Sequence, residues 1–552
     1  MNEAEIRIFD VEGMTCDHCA VTISRALQAV PGVRSAKASY PERRAWIAAP
    51  GVPDEALVAA IAAGGYRARP VAGPQVPPLA PRRGSGPTRF DLVVVGSGGA
   101  AFGAALAAAE LGAKVAMVER GTLGGTCVNI GCIPSKTLIR AAEALRRAQR
   151  SPFAGLSVQG RLVDFAQVMA QKDELVADLR QHKYADVLAG LPNVELVRGQ
   201  GEFVEKGVLK VGNLLLRADR FVVATGARPH AAVIPGLAEA GFLTSTDALA
   251  LTALPESLLV LGGRYIALEL AQAFARFGSK VTIVQRSDHL LPTEDDDLTE
   301  ALASFLREEG MEILTGAQAE RVSRDEEGFA VEVEIGGARR TLHAADLLVA
   351  TGRRPNSDGM GLERLGITLA ADGAIAVDET LQTSVPGVYA AGDVIGDPAF
   401  VYTAAYEGGL AAENALRGTG RRRDYSALPW VMFTDPQVAV VGLNEKRARA
   451  KGVAIDVATL PLSYVPRALA ARDTRGFIKL IKERGGDRLL GASLIAPEAG
   501  DLIMEPALAL RHGIGVRALA SAFHPYLTQA EAVKLAAQAF YKDVSKMSCC
   551  AG

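Results

Sequence analysis

The sequence predicts an α/β protein of several domains, and three observations carry that reading. From Phe90 onward, apolar strand-like runs alternate with helical stretches, as in parallel sheets covered by helices. Two glycine turns, at Gly96 and Gly262, each stand between such a run and a helix start. Residues 1–70 follow a different order of elements. Together these predict two Rossmann-like dinucleotide-binding domains, an α+β domain after them, and a small ferredoxin-like βαββαβ domain in front.

At 552 residues the chain is too long for one hydrophobic core. Its composition, 49% apolar and 22% charged, is that of a soluble globular protein. A net charge of -2 gives no reason to expect nucleic acid or an anionic membrane as partner. The start, Met1-Asn-Glu-Ala-Glu5, lacks the basic and apolar segments of a signal peptide. No apolar run reaches the roughly 18 residues of a membrane span. The expected location is cytoplasmic, where closely spaced cysteines point to redox or metal chemistry. All six cysteines fall into such pairs: Cys16/Cys19, Cys127/Cys132 and Cys549/Cys550.

In the front domain the pattern predicts a strand over 6–11, a helix over 20–30 ended by Pro31-Gly32, and strands over 33–39 and 45–48. A helix over 54–63 and a strand over 66–69 complete it. Cys16 and Cys19 sit on the loop that opens the first helix. Two exposed thiolates at that spacing can hold a soft ion linearly. His18 between them is read as solvent-facing. Residues 71–88, rich in Pro and Gly, cannot build a core and read as a tether.

The first glycine turn is Gly96-Ser-Gly98, after the strand that ends at Val95. Gly96 permits the turn, Gly98 lets the backbone approach a pyrophosphate, and Ala101 allows close helix–strand packing. Glu119 ends the next strand and is placed to accept hydrogen bonds from an adenosine ribose. The second turn carries Gly262-Gly263 but has Arg264 where a glycine normally lets phosphates approach. Its following strand, 280–284, ends in Gln285-Arg286 with no acid, which favours NADPH over NADH. The last 125 residues or so mix strands with Ala/Leu-rich helices over 506–512 and 531–541.

Gly124-Gly-Thr-Cys127-Val-Asn-Ile-Gly-Cys132-Ile-Pro-Ser-Lys136 resembles the redox-disulfide signature of the flavoprotein disulfide reductases. Ala224-Thr-Gly226, Ala350-Thr-Gly-Arg-Arg-Pro-Asn356 and Ala390-Ala-Gly-Asp393 are similar to the family's other landmarks, in the same order. Gly13-Met-Thr-Cys16-Asp-His-Cys19 resembles the heavy-metal-associated domain. That domain, Phe433-Thr-Asp-Pro-Gln-Val438 and the tail Ser548-Cys-Cys-Ala-Gly552 together resemble the branch of the family that reduces Hg(II).

The resemblance implies a heavy-metal-associated domain (1–70), a flexible linker (71–88), an FAD-binding domain in two parts (89–236 and 353–425), an NADPH-binding domain (237–352) and a dimerisation domain with the Cys-Cys tail (426–552). It implies FAD contacts at Ala101, Glu119, Gly121, Thr126, Lys136, Gly201, Asp393 and Val401, with Lys136 paired to Glu269. Cys132 would be the charge-transfer thiolate against the flavin, and Cys127 the thiol that exchanges with substrate. Cys549 and Cys550 would deliver the metal to the active site of the other subunit of a homodimer. Tyr184 matches an active-site tyrosine of the family. Aligned on Glu531, Tyr526 stands where most disulfide reductases have a general-base histidine. His524 is two positions off that register. A tyrosine of ordinary pKa is a poor base at neutral pH, which suits a metal substrate.

The implied activity is NADPH-dependent reduction of Hg(II), taken as a thiol complex, to Hg(0). The expected partners include a membrane mercury transporter that hands over the ion. Two other readings compete: a disulfide reductase fused to a metal domain, and a metal-binding protein with a vestigial reductase half. Tyr526 argues against the first, and the complete flavin and redox motifs against the second.

Overall fold

The computed structural model describes residues 6–12, 23–24, 26–33, 35–39, 44–49, 51–63, 66–70 and 88–546. The chain forms two compact units, Met1–Gly86 and Pro87–Gly552.

In the first unit a four-stranded antiparallel sheet has the spatial order Ser35–Ser39, Arg44–Ala48, Ile6–Glu12, Arg67–Pro70. Residues 26–28 are helical, and a second helix spans Asp54–Ala63. The order matches the predicted βαββαβ pattern. Period-two alternation along the first strand puts Phe9 and Val11 in the core, both at most 1% exposed. Ile23, Leu27, Leu57 and Ile61 close over them from the helices. Arg7 reaches across to Asp54 and to the carbonyls of Ala49 and Val52. Cys16, Cys19 and His18 lie outside the described residues, as do most of the predicted tether, Cys549 and Cys550. Thr88, read from sequence as the end of the tether, is instead part of strand Thr88–Arg89 and pairs with Leu216.

The second unit holds two parallel sheets. In one, five strands run in the order Val388–Ala390, Phe221–Val223, Leu92–Val95, Val115–Glu119, Val194–Arg198. Leu92–Val95 is buried throughout, as its uninterrupted Leu-Val-Val-Val run requires for a strand covered on both faces. The strand Val388–Ala390 comes from far down the chain and extends this sheet. In the other, four strands run in the order Glu312–Leu314, Lys280–Val284, Ser257–Leu261, Asp346–Val349.

Two helices on the first sheet cross at unusually short range. A Cβ on Gly103 of helix Gly99–Glu110 would lie 2.3 Å from the Ala405 carbonyl oxygen, and one on Gly408 of helix Val401–Arg417 would lie 1.9 Å from that of Ala100. Backbone therefore packs on backbone, and only glycine fits at both positions.

The last domain is a five-stranded antiparallel sheet centred on Leu489–Ala496, which is buried along its whole length. One face, including Leu494, packs on the domain's own helices. The other, including Ile495, joins a core with Leu298 and Leu302 of helix Asp296–Glu308, beside the second parallel sheet. Helix Glu531–Gln538 stops three residues short of the predicted 541, where turns take over. Buried ion pairs cross the same boundary. Arg276, held by Glu309 of its own domain at 2.6 Å, reaches across to Asp435 at 2.9 Å. Lys479, 1% exposed, sits among Asp295, Asp297 and Glu445, so an ammonium already pairs with each acid of that cluster.

Candidate active site

Gly96 follows strand Leu92–Val95 with φ +119°, and a Cβ there would meet the Ala224 carbonyl oxygen at 2.3 Å. The turn demands glycine. Gly98 caps helix Gly99–Glu110, and its backbone touches Gly125: a Cβ on Gly125 would lie 2.6 Å from Gly98 Cα. Ala101 is fully buried in the first turn of that helix. Glu119 ends its strand as expected. Its carboxylate accepts from the Ser97 hydroxyl and from the Gly121 amide, both at 2.5 Å, which fixes its direction. Gly96, Glu119, Gly201, Thr225 and Asn356 line one cavity. Sequence reasoning missed Thr225 and Asn356 as site residues, although both lie inside quoted landmark motifs. They bind one another, Thr225 Oγ1 donating to the Asn356 carbonyl at 2.7 Å and Asn356 Nδ2 to the Thr225 carbonyl at 2.9 Å.

Asp393 follows Gly392, whose φ is +77°. Burial pushes its carboxyl pKa up, against the opposing charge of Arg353 at 3.8 Å. Gly392 donates its amide to Glu407 at 2.6 Å, and Glu407, 1% exposed, also accepts from the Tyr425 hydroxyl. Glu407 was not found from sequence; it looks like any acid on an amphipathic helix. Val401 opens helix Val401–Arg417 against Gly99. Thr126 lies half-buried in the short helix Gly125–Ile130.

That short helix carries Cys127, and Cys132 opens the eighteen-residue helix Cys132–Gln149 after Gly131. Both thiols are free and half-buried. The hydrogen bond from Cys127, opposed by burial and helped by the Lys136 ammonium, draws the Cys132 pKa down to about 7. Cys127 moves the other way, because it gives its proton to that hydrogen bond and is itself buried. Cys132 is therefore the thiolate of the pair and Cys127 the thiol.

Lys136, one turn along the helix, places Nζ 2.6 Å from Glu269 Oε2 and 4.8 Å from the Phe433 ring centroid. The other oxygen of Glu269 accepts from the Phe433 amide at 2.8 Å. Three parts of the fold thus meet at one buried carboxylate: the cysteine helix, helix Tyr265–Phe277 and the last domain. Tyr184 comes from a π-helical turn, Gln181–Ala185, and packs edge-on to Phe102 at 4.8 Å. Burial raises its pKa, and negative charge at the cysteine pair adds to the rise; its ring borders Gly124, where a Cβ would lie 3.3 Å from it. Tyr526 is 47% exposed on the turn before helix Glu531–Gln538. His524 binds Glu505 at 2.9 Å within its own domain. In the second parallel sheet, Gly262 has φ +125° and Arg286 is exposed after strand Lys280–Val284.

Residues 90–408 match the family described as pyridine nucleotide-disulphide oxidoreductase. The chain belongs to that family. Residues 428–537 match its dimerisation domain, and residues 8–67 match the heavy-metal-associated domain. Curated relatives include "Mercuric reductase" from Staphylococcus aureus, 42% identical and covering 98% of each chain. Another, also "Mercuric reductase", is from Shigella flexneri, 44% identical, covering 98% of this chain and 99% of the relative. Among solved structures, the Cu(II) complex of the HOCl-induced flavoprotein disulfide reductase RclA from Escherichia coli aligns with a TM-score of 0.73 at 33% identity. It covers 82% of this chain and 100% of that one. Membership in the family implies FAD and a reduced pyridine nucleotide. The glycine-lined cavity with an anchored Glu119 fits the adenosine end of such a cofactor: the glycines leave room for phosphates and the acid suits a ribose.

Proposed function

We propose that this chain reduces Hg(II), bound by thiolates, to Hg(0) at the expense of NADPH. Similarity along nearly the whole chain to relatives named mercuric reductase carries the choice of substrate. The unequal thiol pair Cys127/Cys132 beside Lys136 supports the chemistry. The balance is simple: NADPH and Hg(II) give NADP+, Hg(0) and one proton. FAD, when bound, supplies the two-electron relay between nucleotide and metal site. Gly96, Gly98, Ala101, Glu119, Gly121, Thr126, Gly201, Asp393 and Val401 would hold it, with Lys136 and Glu269 near its redox end. Gly262 and Arg286 would serve the nucleotide.

The Cys132 thiolate is ready to ligate a soft cation, and Cys127 passes its proton to the thiolate that the metal leaves behind. Thiolate exchange needs no separate general base, so Tyr526 in place of a histidine is no handicap. Tyr184 would stand beside the pair, and Tyr526 would flank the metal from the other subunit. In this reading Cys549 and Cys550 carry Hg(II) to the partner's pair in a homodimer. Cys16 and Cys19 collect it upstream, taking it from a membrane transporter, and the protein works in the cytoplasm. No described helix is long and apolar enough to cross a membrane.

The test is NADPH oxidation by the FAD-loaded protein with HgCl2 and excess thiol, against oxidised glutathione and lipoamide. Consumption with mercury alone is the expected result. Turnover of only a disulfide would replace the proposal with a disulfide reductase.

A further inference from the structure

The second glycine turn departs from the usual pattern at Arg264, and the structure shows what the departure leaves available. In such a turn the first glycine makes the bend and the next fingerprint glycine lets backbone approach the diphosphate. Gly262 does the first job: a Cβ there would stand 2.5 Å from the Ala350 carbonyl oxygen. Gly263 is also tight, with a Cβ meeting Gln285 and Leu290 at 3.0 Å. Position 264 is not tight. Its φ is -112° and ψ -174°, extended backbone open to any residue, and the side chain is exposed.

Arg264 is also the N-cap of the thirteen-residue helix Tyr265–Phe277, whose first turn holds no acid. The unsatisfied amides at that end already favour anions. Among the described residues no ion pair or hydrogen bond is made by the Arg264 guanidinium. Other arginines around this domain are engaged: Arg276 by Glu309 and Asp435, Arg447 by Glu294, Arg475 by Asp473 and Asp435. Arg286 is the second exposed arginine of this edge. Its strand, Lys280–Val284, pairs in parallel with Ser257–Leu261, so both arginines follow the carboxyl ends of adjacent strands. That is the edge at which open parallel sheets bind nucleotides.

We propose that Arg264 is a diphosphate clamp: its guanidinium grips the bridge common to NADPH and NADH, replacing the close backbone approach that glycine would give. Discrimination for the 2′-phosphate then rests on Arg286 alone. A guanidinium presents two parallel donors that match phosphate oxygens, so one long side chain can substitute for a backbone contact. The inference rests on the pyridine-nucleotide use proposed above and deepens it.

The experiment is calorimetric titration of the FAD-loaded full-length protein with NADP+ and with NAD+, for wild type, Arg264→Ala, Arg264→Gln and Arg286→Ala. Loss of a charged hydrogen-bond pair should weaken both nucleotides about tenfold in either Arg264 variant, with their ratio unchanged. Arg286→Ala should weaken NADP+ only. Unchanged affinities in both Arg264 variants, or a loss confined to NADP+, would overturn the clamp. Wild type that binds neither nucleotide would instead defeat the nucleotide reading itself. Mercury is absent throughout, so the outcome does not depend on the substrate.

Discussion

Two sulfurs five residues apart end up chemically unequal because one donates a hydrogen bond and the other receives it. With its pKa lowered to about 7, the Cys132 thiolate is populated above that pH and protonates as pH falls through it. Alkylation of the reduced protein by iodoacetamide should therefore accelerate as pH rises through about 7. Lys136→Met removes a positive charge that lowers the pKa, so the midpoint should move to higher pH. A midpoint that stays put, or moves down, would remove Lys136 from the account. At this scale the sequence is uneven in what it discloses. The thiol pair is legible because both sulfurs lie within one short motif. The Lys136–Glu269 pair spans 133 residues and is reachable only through resemblance. The pairing of Thr225 with Asn356 needs the fold, since nothing local distinguishes them from other residues of their loops.

Among the elements, strands such as Leu92–Val95 are easy to read, because a short unbroken Leu/Val run has few other uses. The crossing of helices Gly99–Glu110 and Val401–Arg417 is not. Gly103 and Gly408 lie in Ala-rich helices where glycine looks like a weak helix former, and only the packing shows why they are there. Gly408→Ala puts a methyl where the Ala100 carbonyl already stands, so the helices must separate. We expect a loss of about 1–3 kcal/mol, with reduced FAD content, because the first helix opens at the Gly98 turn and Glu407 next door holds the Gly392–Asp393 loop. Thermal denaturation and the flavin-to-protein absorbance ratio measure both. Native stability and full FAD content would mean the helices adjust freely. The element ends were less readable: Thr88 belongs to a sheet because Leu216 offers it a strand edge, which composition cannot reveal.

For the whole molecule, the two compact units follow the switch in element order near residue 70 and the Pro/Gly-rich stretch after it. Truncation before Pro87, which spares the strand Thr88–Arg89, should leave steady-state Hg(II) reduction by the purified protein within about twofold, since Cys127, Cys132, Lys136 and Glu269 all belong to the second compact unit. Abolished activity would show that the front unit takes part in turnover. The opposite result is expected for Cys549→Ala combined with Cys550→Ala: FAD content intact, turnover of thiol-chelated mercury severely reduced. Unchanged rates would take the tail out of the mechanism. Glu269 bears on how such a protein can be re-assembled by recombination. Its carboxylate is 6% exposed and answers at once to a lysine 133 positions earlier and an amide 164 positions later. A chimera that imports a nucleotide-binding segment without that acid would strand a half-buried ammonium beside the thiols and an unsatisfied amide in the last domain. The three segments consequently trade as a set.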